Sequence, residues 1–227
     1  MARVIQKGRA QLSQSITPRR EQIIKSATAL FVKKGYDKTT VRDIASKSGI
    51  TVGTLYHYIT SKDDILAVIQ ERASEDIRDF IQETEKALVE LRPAEALRFT
   101  IEKYFTLVDD YQDLSLFWYQ ETRSLPTALR ARLLEDDELR AGVFNKVLMA
   151  GCEAGELRQH DTLLMAHDII VLGDMWAFRR WFLRKHYTFA QYLAKQVDLI
   201  LSTISNHPGS RSAKNARQVD INEGGER

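Results

Sequence analysis

Apolar residues recur three and four positions apart along most of the chain, the spacing that places them on one face of an α-helix. Nowhere do β-branched residues alternate with polar ones between turn signals, so strands are not expected. The predicted helices span residues 19–34, 41–48, 52–59, 62–91, 93–109, 113–123, 128–153, 162–185 and 188–205. The pattern therefore predicts an all-α protein.

The segment 39–62 predicts two short helices joined by a tight turn. Thr39 or Thr40 can cap the first helix, because a threonine oxygen accepts from backbone N–H groups that lack a partner inside the helix. Gly49 suits the left-handed backbone that ends such a helix. Thr51 is a second candidate cap. This arrangement is typical of a helix–turn–helix.

The second helix of this pair has one apolar and one polar face. Val52, Leu55 and Tyr56 repeat at helical spacing and are expected to pack it onto the first helix. The residues left facing outward are small or polar: Thr51, Gly53, Thr54 and His57. A helix that enters the DNA major groove needs such a face, because base edges are read by hydrogen bonds and close contacts. These four residues are our candidates for base or groove contact.

With its flanking helices, this segment resembles the TetR family of bacterial transcriptional regulators. The matching residues are ALFVKKGYDKTTVRDIASKSGITVGTLYHYITSKDDIL, in the family's order and spacing. They depart from the family at Ile59, where Phe is usual, although isoleucine is also bulky and apolar. The resemblance implies a three-helix helix–turn–helix DNA-binding domain over residues 18–62. It also implies a larger helical ligand-binding and dimerisation domain over residues 63–205.

Three further residues are candidates for positioning the DNA backbone: Thr40, Tyr56 and Lys62. Lys62 lies where the family makes a phosphate contact. Tyr56 is expected to serve both the core and the backbone contact.

Basic residues are concentrated near the N-terminus, although the net charge of the chain is only +2. Residues 1–64 contain twelve Lys and Arg against five Asp and Glu, whereas the rest contains 21 against 26. A basic head on an acidic body indicates that the head meets a polyanion. Residues 1–17 are predicted to form a flexible basic arm, which either reaches a DNA groove or has no role. Residues 206–227 are predicted to be a disordered tail.

Composition and motifs argue against other classes of protein. The single Cys152 excludes an intramolecular disulfide and a Cys-based zinc cluster, and is interpreted as a packing residue, with a redox-sensor thiol as the alternative. The five histidines include no metal-binding pair, and there is no Gly-rich phosphate loop or Gly-x-Ser-x-Gly motif. We therefore expect neither an enzyme nor a metal nor a cofactor. The acidic run 135–138 favours a solvated helix face over a cation site.

The chain also lacks signals for a membrane. No run approaches the roughly 20 apolar residues of a membrane span. The N-terminus has no apolar segment of the kind found in signal peptides. A cytoplasmic protein without membrane contact is the expectation.

Residues 162–185 are apolar on nearly all sides, and residues 188–205 carry a further apolar stripe. A helix that is apolar all round is buried against its own core and against something else. Paired across a two-fold axis, two such helices per subunit would make a four-helix interface, which is how the family dimerises. A dimer can hold two recognition helices about 34–36 Å apart, so that they read successive major grooves of a palindromic operator.

The middle of the body is rich in aromatic residues. In the TetR family the helices of this region surround an effector pocket, and the resemblance implies the same here. The candidate effector-binding residues are Tyr104, Phe105, Phe117, Trp118, Phe144, Trp176, Arg179 and Arg180. The alternative is ordinary core packing, which is the commoner role of aromatic residues at helical spacing.

The segment WAFRRWFLRKHYTFAQY combines aromatic and basic residues. An apolar pocket edged with arginines suits an acyl chain joined to a phosphorylated head group, because arginine pairs phosphate through two hydrogen bonds. The segment is also similar to the C-terminal domains of acyl-CoA-responsive family members, which implies control of fatty-acid or related acyl degradation. The arginines could instead be solvated or pair with acidic residues across the dimer.

The sequence thus predicts a homodimeric repressor that a small hydrophobic effector, such as an acyl-CoA, releases from double-stranded operator DNA. Activation in place of repression remains open. So does a helical lipid or acyl carrier in which the N-terminal motif is incidental. The basic head favours the regulator, because a carrier does not require one.

Overall fold

The computed structural model describes residues 18–123 and 125–206. Its helices are α1 Pro18–Lys34, α2 Val41–Lys47, α3 Val52–Tyr56, α4 Lys62–Glu90, α5 Pro93–Asp110, α6 Gln112–Glu121, α7 Thr127–Glu153, α8 Thr162–Phe178, α9 Arg180–Leu183 and α10 Phe189–Ile204. Within these residues the only β-type pairing is an isolated bridge between Leu157 and Ser205, and the all-α prediction is confirmed. The predicted arm 1–17 lies outside the described residues, as does the predicted tail beyond residue 206.

The N-terminal head consists of α1, α2 and α3 around an apolar core. The almost fully buried side chains of this core include Ile23, Phe31, Ile44 and Leu55. The start of α4 belongs to the same core, since Ile65 is almost fully buried with them. The predicted domain boundary at residue 62 therefore falls within continuous apolar packing, and the division into two domains stays a prediction.

Helix α6 of the body packs directly onto α1 of the head. The rings of Phe31 and Phe117 stack with their centroids 6.1 Å apart. Gly35, just after α1, has a φ of +83°, and a Cβ there would lie 2.7 Å from Glu121 Oε1. Glycine is needed here for the left-handed turn, since the nearby carboxylate is the flexible end of a side chain and can shift.

In the body, α5 is central and packs against α4, α7, α8 and α10. Its largest buried side chains include Tyr104 and Phe105, which lie with Phe144 of α7 in the main core. Helix α8 approaches α5 at Gly173, where an added Cβ would lie 2.8 Å from Tyr104 Cε1. The absence of a side chain at residue 173 therefore lets α5 and α8 come this close.

Two predicted helices are too long. The predicted helix 162–185 divides into α8 and the short α9, because the backbone at Arg179 leaves the helical region (φ −111°, ψ 23°). No Gly or Pro lies between residues 174 and 187, so the sequence carries no signal for this break. Helix α3 ends at Tyr56 rather than at residue 59. The chain turns there, and Ile59 enters the head core with 7% of its surface exposed.

Helix α8 has a buried and an exposed apolar side. Ile169 is fully buried in the body core, whereas Leu163 and Leu164 are 60% and 57% exposed. Leu199 on the neighbouring α10 is 56% exposed. An apolar surface is thus left on the outside of the monomer. Among residues 18–123 and 125–206, no helix combines the length and apolar character needed to cross a bilayer.

Candidate DNA interface and effector cavity

Helix α2 is fixed at its start by a reciprocal cap. Thr40 Oγ1 accepts from the backbone N–H of Asp43 at 3.1 Å, and Asp43 Oδ2 accepts from the backbone N–H of Thr40 at 3.0 Å. The pKa of Asp43 falls to about 2, chiefly because its carboxylate accepts from the backbone N–H of Thr40. Hydrogen bonds from the Thr40 hydroxyl and from Lys34 lower this pKa further. Thr40 remains exposed. Its phosphate contact stays a prediction.

Helix α3 presents a small, open surface. Thr51 Oγ1 accepts from the backbone N–H of Thr54 at 3.1 Å, and the two hydroxyls lie 2.9 Å apart. A Cβ added at exposed Gly53 would have only Thr51 Oγ1 within 4 Å, at 3.8 Å. The structure brings these three predicted groove residues together on one turn. His57 lies just beyond the end of α3 and is exposed.

Tyr56 does not occupy the place that its helical spacing predicts. It is 53% exposed, so the expectation that it packs into the core is wrong. The shortness of α3 is the reason, because Leu55 and Ile59 fill the core on either side of it. The phenol is accessible to a DNA backbone, and that contact stays a prediction.

Lys62 ties the start of α4 to the loop between α1 and α2. Its Nζ donates to the carbonyl oxygens of Tyr36 at 2.7 Å and Thr39 at 3.2 Å, and lies 3.8 Å from the centroid of the Tyr36 ring. Burial lowers the pKa of this amine. Two of its three N–H groups are thus engaged within the head, which leaves one for a phosphate.

A cavity of about 190 Å³ lies in the body between α4, α5, α6, α7 and α8. Its apolar wall includes Ile77, Leu107, Val108, Trp118 and Phe178. Trp118 is 9% exposed and belongs at the same time to the apolar core of the head. The cavity and the DNA-binding head therefore share a side chain.

One part of the cavity wall is polar and largely buried. Asp136 accepts hydrogen bonds from Gln70 Nε2 at 2.7 Å and from Ser74 Oγ at 2.6 Å. Asp136 is only 8% exposed, so the prediction that the run 135–138 is a solvated face is wrong at this position. Helix α7 packs against α4 here, and two donors on α4 replace water around the carboxylate.

A second polar group lies beside it. The hydroxyl of Tyr104 donates to Asp174 Oδ1 at 2.7 Å, and the Arg140 guanidinium pairs with Asp137 and lies 5.9 Å from the centroid of the Tyr104 ring. Burial raises the pKa of Asp174, and it also raises the pKa of Tyr104 well above its usual range. Two buried N–H groups, Arg140 Nε and Trp118 Nε1, have no acceptor among the described residues.

The structure places the eight predicted effector-binding residues in several surroundings. Tyr104 and Trp118 line the cavity. The other six lie outside its lining: Phe105, Phe144 and Trp176 in the body core, Phe117 in the head core, and Arg179 and Arg180 at the junction of α8 and α9. The role of these residues toward an effector stays a prediction.

Sequence reasoning missed Arg140, Asp136 and Asp174, which give the cavity its polar wall. The first two stand in or near a charged run that is typical of a solvated helix face. Asp174 is an isolated acid inside the apolar helix α8, and a lone carboxylate in such a helix is the signal that could have identified it.

Cys152 behaves as a buried packing residue rather than as a reactive thiol. Its Sγ lies 3.4 Å from the Arg158 carbonyl oxygen and 3.8 Å from His160 Nδ1. Burial raises the pKa of the thiol, which disfavours the thiolate that reacts with oxidants. Within the described part of the chain, no group of three or more His, Cys, Asp or Glu side chains could hold a metal ion.

A helix–turn–helix head packed on a helical body defines the architecture of a DNA-binding transcriptional regulator. Residues 23–69 match the model of bacterial regulatory proteins of the tetR family, and residues 90–202 match the tetracyclin repressor-like C-terminal domain. The chain belongs to the TetR family of transcriptional regulators. The resemblance seen in the sequence is confirmed, and the protein is a regulator rather than an enzyme.

Individual relatives agree with this assignment. The chain is 29% identical over 187 residues to the HTH-type transcriptional regulator HbdR of Aromatoleum sp. (strain CIB). This alignment covers 82% of the present chain and 80% of HbdR. A tetR-family regulatory protein from Rhodococcus RHA1 has a similar fold, with a TM-score of 0.71 and 23% identity. The superposition covers 84% of the present chain and 99% of the Rhodococcus protein. The regulator FadR from Bacillus subtilis, in complex with stearoyl-CoA, gives a TM-score of 0.61 and 25% identity. The superposition covers 80% of the present chain and 97% of FadR.

Proposed function

We propose that the protein is a homodimeric repressor that binds a palindromic operator and is released by a small hydrophobic effector in the body cavity. The observation that carries this proposal is the position of Trp118, which lines the cavity and packs in the head core. Its neighbour Phe117 stacks on Phe31 of α1. A ligand that displaces Trp118 therefore pushes on the helix that supports α2 and α3. Like other regulators of this family, the protein would act in the cytoplasm.

The groove contacts come from α3 and the residue that follows it. Thr51, Gly53 and Thr54 form a turn without bulky side chains on which Thr51 and Gly53 are exposed and Thr54 is half-buried, and exposed His57 extends the same surface. Phosphate contacts come from Tyr56, whose phenol is exposed, and from the remaining N–H of Lys62. Phosphate contacts fix the register of the head, and groove contacts read the sequence.

The dimer forms through α8 and α10. Leu163, Leu164 and Leu199 are more than half exposed on these two helices, which contact each other. Large exposed apolar side chains that cluster on neighbouring helices are typical of a protein interface. Two copies then bring four helices together and hold the two α3 helices at the spacing of successive major grooves, about 34–36 Å.

The proposed effector is an acyl-CoA. Support comes from the similarity to FadR of Bacillus subtilis in complex with stearoyl-CoA and from the order of residues at the end of α8. Phe178 lines the cavity, and Arg179 and Arg180 follow it directly on the outside of the body. The acyl group would occupy the cavity while the arginines meet the phosphorylated head group. A phosphate would compete there with Asp113, which pairs with Arg180.

Operator binding and release test this proposal. The full-length protein is mixed with genomic fragments in a gel-shift assay, and the bound fragment is then titrated with acyl-CoA thioesters of increasing chain length. We expect sequence-specific binding that at least one thioester abolishes. The proposal fails if no duplex is preferred over random DNA, or if no chain length reduces operator binding.

The coupling through Trp118 is tested by Trp118→Phe, which shortens the side chain shared by the cavity and the head. We expect operator affinity to be retained and the thioester concentration for half release to rise. Tyr187→Phe is the control, because Tyr187 is 37% exposed and lies outside the cavity lining and both buried cores. Equal release curves for the two variants would remove Trp118 from the mechanism.

Base readout is tested by His57→Ala. We expect a loss of about 1–3 kcal/mol in operator binding, confined to a few operator positions, as direct readout predicts. His186→Ala, another exposed histidine but in the body, is the control and should change nothing. A uniform loss over all operator variants would assign His57 to the phosphate backbone instead.

A further inference from the structure

The polar wall of the cavity identifies the chemistry of the group that it accepts, given the ligand-responsive regulator proposed above. We propose that the effector inserts a ring-sized group whose neutral hydroxyl lies between Arg140 and Asp174. The hydroxyl donates to a carboxyl oxygen of Asp174 and accepts from the Arg140 guanidinium, since both side chains line the cavity.

The size of the cavity favours a ring over a long chain. A dry cavity of about 150 Å³ is known to hold benzene, and this cavity of about 190 Å³ is slightly larger. A six-membered ring with one substituent therefore fits between apolar side chains such as Ile77, Leu107 and Phe178. The acyl group of the proposed thioester is therefore short or carries the ring, because about 190 Å³ does not enclose a long unbranched chain.

The charges of the wall disfavour an anionic group. Asp136, Asp137 and Asp174 line the cavity together with a single cation, Arg140. Arg140 is already paired with Asp137, so a ligand carboxylate would meet more negative than positive charge. A plain hydrocarbon would avoid that repulsion but would cover polar groups without satisfying them.

A cationic group fits less well than a neutral one. Asp136 is occupied by its two donors on α4, and Asp137 by Arg140. Asp174 accepts one hydrogen bond, from Tyr104, and burial raises its pKa. An ammonium carries three donors and no acceptor, so it cannot accept from the Arg140 guanidinium and would lie beside that cation, whereas a hydroxyl can both donate and accept.

The wall presents a donor and an acceptor to the same ligand group. Asp174 accepts only one hydrogen bond, from Tyr104, and the Arg140 guanidinium is a donor; both side chains line the cavity. Buried polar atoms are normally paired. A hydroxyl carries one donor and two acceptor lone pairs, so this single neutral group can serve both kinds of partner.

Four ring compounds of similar size separate these cases: benzyl alcohol, toluene, benzoate and benzylamine. Their binding to the full-length protein is measured by calorimetric titration and by the quenching of tryptophan fluorescence. We expect benzyl alcohol to bind about tenfold more tightly than the other three, the effect of roughly one hydrogen bond to a charged group. Tightest binding by benzoate, tightest binding by benzylamine, or equal binding of toluene and benzyl alcohol would each overturn the inference.

Asp174→Asn tests the carboxyl group with little change in shape. We expect it to reduce the preference for benzyl alcohol over toluene severalfold, whereas Asp168→Asn should leave the preference unchanged. Asp168 is the matched control because it lies on the same helix with 56% of its side chain exposed. Circular dichroism checks that both variants retain their helices. An unchanged preference in a folded Asp174→Asn variant would contradict the inference.

The failure of this inference can be distinguished from the failure of the proposed function. If thioesters release the operator while none of the four compounds binds, the hydroxyl site is wrong and the ligand-responsive repressor stands. If benzyl alcohol is preferred but no operator is bound, the cavity chemistry stands and the repressor is wrong.

Discussion

Gly173→Ala tests the close approach of α5 and α8 that positions Tyr104 beside the cavity. An alanine Cβ would lie 2.8 Å from Tyr104 Cε1 and 3.0 Å from Phe105 Cδ1, whereas carbon atoms in favourable contact are about 3.5–4.0 Å apart. Both rings are fully buried, and Phe105 lies in the body core outside the cavity lining, so it has little room to move aside and the helices must separate. Such overpacking costs about 1–3 kcal/mol. The better helix propensity of alanine offsets about 1 kcal/mol of this cost.

We therefore expect Gly173→Ala to lower the free energy of unfolding by about 1 kcal/mol. Gly142→Ala is the control, because residue 142 is exposed in the middle of α7 and an added Cβ meets nothing within 4 Å. It should raise the free energy of unfolding by about 0.5–1 kcal/mol.

Urea unfolding at equal protein concentration measures both variants, since the stability of an oligomer depends on concentration. Gly173→Ala should also weaken ligand binding in the cavity, because Tyr104 and Asp174 line it. Equal stabilisation by the two substitutions would refute the close contact between α5 and α8.

Three further predictions concern the dimer and two titrating groups. Leu199→Glu on the apolar surface of α10 should give monomers in light scattering, because an unpaired charge buried in the dimer interface is costly. Val89→Glu is the control and should leave the dimer intact, because Val89 is 88% exposed on α4. The pKa of Asp43 is lowered to about 2, so the capping of α2 by Asp43 should be fully present above pH ~4 and lost as the pH falls toward 2. An NMR titration of Asp43 with a midpoint near the usual value of 3.8 would contradict this prediction. Burial, reinforced by a hydrogen bond to a carboxylate, raises the pKa of Tyr111 to about 12. The contribution of Tyr111 to stability should therefore persist below pH ~10 and disappear toward pH 12. Tyr111→Phe should remove one late step from the absorbance titration of the phenolates.

The sequence by itself determined the head and most of the helices, although not the break at Arg179. Caps such as Thr40, Thr51 and Ser61 each bond to a backbone N–H three positions ahead, so a short stretch of sequence contains both partners. The apolar stripe of a helix likewise follows from spacing within a few turns. The helix–turn–helix and its family could therefore be identified before any tertiary contact was known.

Only the tertiary structure decided the polar wall of the cavity and the route from it to the head. Gln70 and Asp136 are 66 positions apart, and Tyr104 and Asp174 are 70 positions apart. No local pattern distinguishes a carboxylate that will meet such a distant donor from one that will meet water. Trp118 likewise joins the cavity to the head because α6 packs against both α8 and α1. Helical periodicity marks which face of a helix is buried, but helix packing decides which side chains meet there.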